Sequence, residues 1–371
     1  MPDTFMTRLL LVGTSYPANR ADWKGRFIAD MAEALAKRQD LAVSIWAPPG
    51  ELPLRASYAA TPGDRAWLQD LMAKGGIAAR LRAGKLAGLT SAVSLLYRLY
   101  GLYRRERYDI AHVNWLQNAL PLWGTAKPAL VTVLGSDYGL LGQPGMIALL
   151  RAVLRQRATI LAPNAAWMAP RLEAEFGDVA SVRAVPFGVD RRWFEIDRGQ
   201  AVPGCWLAVT RLTRNKIGDL FEWGEGLFGG GRQLHLFGPM QESMPLPSWL
   251  TWHGPTHLAE LRSTWFPRAC GLVTLSRHDE GRPQVMLEAM ASAVPVVAAD
   301  LPAHRDFVRH DETGWLVRGR DDLSEALTGL EDMSRNRRIG EAARLWIKQE
   351  IGDWDDCAAR YAALYNELRR Q

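Results

Sequence analysis

The stretch Cys270–Asp300, CGLVTLSRHDEGRPQVMLEAMASAVPVVAAD, decides the fold. CGLVTLS and VPVVAAD are apolar throughout and of strand length. Strands of that kind lie in parallel sheets covered on both faces. QVMLEAM between them is a helix-forming run, and Gly281 and Pro283 mark a tight loop before it. Strand, loop, helix, strand is the unit of a doubly wound α/β sheet, whose ligands bind outside the carboxyl ends of the strands. Two acids eight residues apart, Glu280 in the loop and Glu288 about a turn inside the helix, therefore fall where a ligand is expected.

The same alternation runs along the whole chain. The first half offers the strands RLLLVGTSYP, LAVSIWAPP, YDIAHVNW, PALVTVLG, ATILAPN and VRAVPFG. GRFIADMAEALAKR, between the first two, places Phe27, Ile28, Met31 and Leu35 on one helical face. The second half offers CWLAVTR, RQLHLFG, SWLTWHG, CGLVTLS, VPVVAAD and GWLVRG. Two facing Rossmann-like domains follow, with the ligand in the cleft between them. The first covers residues 1–189 and the second 205–351. Residues 190–204, charged, without periodicity and ending in Pro-Gly, are expected to link them. DWDDCAARYAALYNELRR closes the chain as a helix within residues 352–371.

At 371 residues the chain is long enough for two such cores. Its three cysteines, Cys205, Cys270 and Cys357, show no pairing or metal spacing, which points to a reduced, cytoplasmic setting. The apolar run LLLVG is strand-sized, and no long apolar segment follows a charged N-terminus. The net charge of +5 is concentrated: residues 74–107 hold eight Lys or Arg against Glu106, a local +7, so the rest is slightly acidic.

The loop before QVMLEAM suits a phosphate. Gly281 lets backbone come close, Pro283 fits the first helical turn, and the helix N-terminus offers free N–H groups and a positive dipole end. Glu288 can accept hydrogen bonds from two vicinal hydroxyls, as on a ribose. Glu280 can meet sugar hydroxyls beyond the phosphates. Taken as an isolated pair, the two acids read more readily as a solvated loop acid and a surface helix acid. TRLTRNKIG adds Arg211 and Lys216 in one strand-to-helix loop, a pair suited to a diphosphate leaving group; alone, it reads equally as a solvated basic loop.

Together these motifs resemble the family-4 glycosyltransferases, retaining enzymes of the GT-B fold (glycosyl transferases group 1). Glu280 to Glu288 resembles their E-x7-E motif, continued by LEAMASAVPVVAAD and TGWLV. VTRLTRNKIG resembles their G-R-L-x-x-x-K-G segment, and VPFGVDRRWF their interdomain stretch. SYPANRADWKGRFIADMAEALA resembles their N-terminal loop and first helix, with Gly25 where family members approach the phosphates. YDIAHVNW and TVLGSD resemble two of their strand ends. DWDDCAARYAALY resembles their last helix, which crosses back onto the first domain.

The resemblance implies transfer of a sugar from a nucleotide-sugar donor to an acceptor hydroxyl, in envelope polysaccharide, lipopolysaccharide or glycolipid synthesis, with no metal. It implies Glu288 on the donor ribose, Glu280 on the donor sugar, Arg211 and Lys216 on the diphosphate, and Gly281, Arg282 and Pro283 in the donor loop. The sequence departs from the family at Leu134, where many members carry histidine, at Ala293, where glycine is common, and at Asp306, where glutamate is usual. Asp137 is then a candidate sugar or acceptor contact, or a structural turn residue. The competing readings are a nucleotide-sugar epimerase on the same frame, and a degenerate family member that only binds.

Residues 74–107 have their own two readings. Aromatics interleave with arginines in YRLYGLYRRERY, as in segments that lie on anionic lipid, which would place the protein peripherally at the inner membrane face. The plainer reading is a solvated helix face. The longest charge-free stretch within this segment, Leu86 to Tyr97, is 12 residues and too short to span a bilayer. No nucleic-acid module is recognisable.

Overall fold

The computed structural model describes residues 6–19, 22–77, 80, 84–278 and 281–370. The chain forms two compact units. One comprises Met1–Phe187 with Trp354–Gln371, the other Gly188–Asp353.

The first unit is built on a seven-stranded sheet. Its strands are β1 (Thr7–Val12), β2 (Leu41–Trp46), β3 (Ala56–Tyr58), β4 (Ile110–Asn114), β5 (Ala129–Val133), β6 (Thr159–Pro163) and β7 (Ser181–Val182). They lie in the order β3-β2-β1-β4-β5-β6-β7, all parallel. The apolar run of β1 serves two cores at once. Leu10 and Val12 enter one cluster, Leu9 and Leu11 the other, as the alternation of side chains across a strand requires. Helices α1 (Arg26–Lys37) and α2 (Pro62–Ala73), with the long α3 (Lys85–Arg105), cover these faces. Ile28, Met31 and Leu35 of α1 are buried as the periodicity predicts.

The second unit repeats the plan with six strands: β8 (Cys205–Val209), β9 (Gln233–Phe237), β10 (Leu250–Gly254), β11 (Gly271–Thr274), β12 (Val296–Ala299) and β13 (Trp315–Val317). Their order is β10-β9-β8-β11-β12-β13, again parallel. Leu207 and Trp206 of β8 face opposite clusters. This is the two-sheet, doubly wound architecture read from the sequence.

The details differ in three places. β3 was not foreseen, because a three-residue edge strand carries too short a pattern. Of VRAVPFG only Val182 lies in a strand, although the N–H groups of Arg183 and Val185 still donate to Leu161 O and Pro163 O of β6; Pro186 has no N–H to go further. Residues 190–204, expected as a linker, lie inside the second unit: a short helix over Arg191–Phe194 is capped by Asp190, and Trp193 and Ile196 are buried in its core. One turn of helix is too short to show a period.

The final helix, Trp354–Arg370, belongs to the first unit. Its Tyr365 hydroxyl meets His112 Nδ1 at 2.6 Å, and His112 Nε2 meets Thr132 Oγ1 at 2.7 Å. Burial drives the His112 pKa down to about 3, so the ring is neutral.

Candidate active site

In the second unit the strand order reverses between β8 and β11. The loops leaving those two strands carry most of the residues singled out above, at the place where open α/β sheets bind ligands. After β8, Arg211 is exposed in the loop and Lys216 is half-buried on α4 (Arg214–Ile217). Thr213 caps this turn, its hydroxyl accepting from Lys216 N–H at 3.3 Å. Gly218 ends it with φ +54, and a Cβ there would lie 1.9 Å from the Leu275 carbonyl oxygen. Only glycine allows that approach.

The approach brings the two loops together. Asp219 N–H donates to Leu275 O at 3.1 Å, and Arg277 N–H donates to Asn215 O at 2.8 Å. Ser276 Oγ donates to Asn215 O at 3.3 Å and accepts from His278 N–H at 3.0 Å. The Arg277 guanidinium pairs with Asp219. These ties, which the sequence reading missed, fix the segment carrying Arg211 and Lys216 against the residues that lead to Glu280. Glu280 itself and Asp279 lie outside the described residues.

Beyond them, Gly281 and Pro283 are buried, and Pro283 takes the N-cap of α5 (Gln284–Ala291), one position ahead of the first turn expected for it. Glu288 is half-buried on that helix. Arg282, expected at a bound ligand, is committed to the fold. It bonds Asp306 at 2.7 Å with only 6% of its side chain exposed, and lies over the Phe307 ring. A buried pair of that kind anchors the loop, since removal of either partner leaves a buried charge. Asp306, the departure from glutamate, is its partner.

Two expected residues fall in the first unit. Gly25 starts α1 with φ +66, and a Cβ there would lie 2.6 Å from the Ser15 carbonyl carbon and the Tyr16 nitrogen. The backbone itself requires glycine there. Asp137 is 1% exposed, and both its oxygens are occupied: Leu116 N–H donates to Oδ2 and Leu134 N–H to Oδ1, each at 2.7 Å. Burial pushes its carboxyl up to about 7, against the lowering effect of these N–H groups. Of its two readings the structural one holds, because no surface of Asp137 is left to meet a sugar. Leu134 is buried in the apolar cluster beside it.

The basic segment is likewise divided. Arg98 and Arg105 bond buried Asp64 at 2.9 and 3.0 Å, and Lys74 bonds Asp70 at 2.7 Å. Asp64 is held below the usual carboxylate range: burial opposes this, and its hydrogen bonds outweigh the burial. Three of the segment's cations serve the fold. Of its other cations, Arg82 lies outside the described residues.

Residues 262–346 match the family described as Glycosyl transferases group 1, a span that includes Glu288 and stops short of Arg211 and Lys216. A GDP-mannose-dependent alpha-(1-6)-phosphatidylinositol monomannoside mannosyltransferase of Mycobacterium tuberculosis is 26% identical over 292 residues, covering 69% of this chain and 75% of that one. Among solved structures, sucrose-phosphate synthase from Thermosynechococcus elongatus aligns with a TM-score of 0.70 at 17% identity, covering 98% of this chain and 99% of that one. HepE of Anabaena, in complex with UDP and glucose, aligns with a TM-score of 0.65 at 13% identity over 98% of this chain and all of its own. At such identities the structural likeness is one of fold.

Proposed function

We propose that this chain, whose residues 262–346 match the glycosyl transferases of group 1, moves a sugar from a nucleotide-sugar donor to an acceptor hydroxyl with retention of anomeric configuration. The observation that carries the reading is the stitching of the β8 and β11 loops at the reversal of the second sheet. It ties the loop that carries two cations to the loop that leads to an eight-residue helix, at the ends of neighbouring strands.

In this reading the diphosphate lies on the N-terminus of α5. The bond from the anomeric carbon to the diphosphate breaks, a bond to the acceptor oxygen forms, and the acceptor proton leaves with the diphosphate. Arg211 and Lys216 stabilise the charge that develops on the leaving group, so that a divalent ion is not required for it. Glu288 accepts from the ribose hydroxyls, and Glu280 orients the donor sugar beside the reacting carbon. Arg282 acts one layer out, holding the loop through Asp306. Gly281, Pro283 and Gly25 contribute backbone geometry.

The mycobacterial relative uses GDP-mannose and a phosphatidylinositol glycolipid, as its name states. A lipid-borne acceptor in envelope glycan or glycolipid synthesis is accordingly the substrate class we favour. The test is a panel of nucleotide sugars beginning with GDP-mannose, offered to the full chain with glycolipid acceptors. Release of nucleoside diphosphate and a product of the donor's own anomeric configuration, read by NMR, are the expected results. An inverted product, or an epimerised donor without transfer, overturns the reading.

A further inference from the structure

Thirteen large apolar side chains stand more than a third exposed among the described residues, and five of them are on α3. These are Leu86, Leu89, Val93, Tyr97 and Tyr100, with exposures from 46% to 79%. They recur in steps of three and four. At about 100° per residue they fall within an arc of roughly 80° along about 21 Å of helix. Leu95, Leu99 and Leu102, on the opposite side, are buried in the core of the first unit, with Tyr103 at its flank. The helix is thus apolar on two faces, and only one is covered by the fold. A helix of that pattern is built to be covered on both.

The chemistry at its end says what covers the other. Arg104 falls in the same arc, lies 3.3 Å over the Tyr100 ring, and donates to Trp123 O at 2.5 Å. Trp123 is itself half exposed. Tyrosine, tryptophan and arginine at the edge of an aliphatic stripe are the residues that sit at a bilayer's headgroup level. The helix contains no acid, and Lys85, Arg98, Arg104 and Arg105 are its cations. Of these, Arg104 lies on the outer face, since Arg98 and Arg105 bond Asp64; two such faces would bring the same cation together, whereas an anionic headgroup complements it. Among the described residues no helix is long and apolar enough to cross a membrane.

We propose that the outer face of α3 seats the first unit on an anionic lipid bilayer, the helix lying in the plane of the interface. Leu86, Leu89, Val93 and Tyr97 enter the boundary between headgroups and acyl chains, about 5–10 Å deep. Arg104 and Trp123 stay at headgroup level. Apolar insertion provides most of the attachment, because Arg98 and Arg105 are turned to Asp64. The inference deepens the proposed function by giving its lipid acceptor a place to be met, and rests on that reading for its purpose alone.

The test is co-sedimentation of the full chain with vesicles of phosphatidylcholine alone, and of equimolar phosphatidylcholine and phosphatidylglycerol. The chain is expected to pellet with the anionic vesicles, and to do so in part even at about 0.5 M salt, where surface charge is screened. The combined variant Leu86→Ser, Leu89→Ser, Tyr97→Ser should partition at least tenfold less, as the loss of three inserted apolar side chains requires. Its circular dichroism and nucleoside diphosphate binding should be unchanged.

Wild-type protein left in the supernatant at low salt overturns the proposal, as does a triple variant that still pellets. A dimer seen by light scattering and dissolved by the same substitutions also overturns it, and assigns the face to a second copy. Donor turnover, measured without vesicles, separates the two readings. Pelleting without turnover defeats the proposed function and leaves the docking face standing; turnover without pelleting does the reverse.

Discussion

The two units reverse their strand order at equivalent places, between β1 and β4 in one and between β8 and β11 in the other, yet they use the strand ends differently. On and after β4 and β5 of the first unit the polar groups are closed. His112, Asn114, Asn118 and Asp137 are all buried, and the carboxylate of Asp137 is held by two backbone N–H groups. In the second unit the corresponding loops leave Arg211 exposed and Lys216 and Glu288 half-buried, while their backbones are tied together. The lesson is that one sheet plan can hold its polar groups as internal fasteners or present them to a ligand. Solvent access at the strand end separates the two uses.

The largest expected effect lies on the open side. Lys216→Ala should lower the transfer rate by a factor of about 10²–10³, the loss of one charge-assisted contact to the leaving group. The melting temperature should move little, since a half-buried lysine does little packing. A rate within about threefold of wild type would place Lys216 outside the chemistry and erase the contrast.

The next effect belongs to the closed side. Asp137→Asn turns one acceptor into an amide that faces a backbone N–H, and should cost about 2 kcal/mol of stability with the active-site chemistry intact. Asp137 also gives a pH signature. Its native pKa, near 7, lies above the ordinary value of about 3.9, so the native state keeps a proton that the unfolded chain has released. Stability on this count falls as pH rises from about 4 to about 7. Urea unfolding across that range should show the fall in wild type, and the asparagine variant should lack that component. Equal slopes in the two proteins would contradict the assignment.

The smallest effect tests a departure from the family. Ala293 sits at φ +55, in the left-handed region where glycine is unstrained. Ala293→Gly should change stability by no more than about 0.5 kcal/mol, relief of strain offsetting the larger entropy of the unfolded chain. Transfer should be unaffected; a large loss of activity would give Ala293 a role in the site.

What could be read from the sequence follows from range. The strands were legible because burial on both faces turns them into continuous apolar runs, as in Leu9–Val12. The loop-to-helix start at Gly281–Pro283 was legible because its signals lie within a few residues. Ala293 was legible as an alanine where glycine is common, though only the structure gives its φ. The fasteners were not. Asp137 reaches Leu116 across 21 residues, and Asp64 reaches Arg98 and Arg105 across 34 and 41. No local pattern records such pairings. The tie between Gly218 and Leu275 spans two strands' worth of chain for the same reason. The outer stripe of α3 is written in steps of three and four, but a sequence does not say which of two apolar faces the fold covers.

The central claim is that the open loops of the second unit bind the donor's nucleoside diphosphate. Calorimetric titration of the full chain with GDP and UDP tests it most directly, comparing wild type with Lys216→Ala, Glu288→Gln and the double variant. Wild type should bind one of the two, with a Kd of about 1 µM to 1 mM, the range usual for enzyme substrates. Glu288→Gln should weaken that binding about tenfold, the cost of one charge-assisted contact made equally in ground and transition states. The double variant should fall below detection. Wild type that binds neither nucleotide, or variants that bind as wild type does, would contradict the claim.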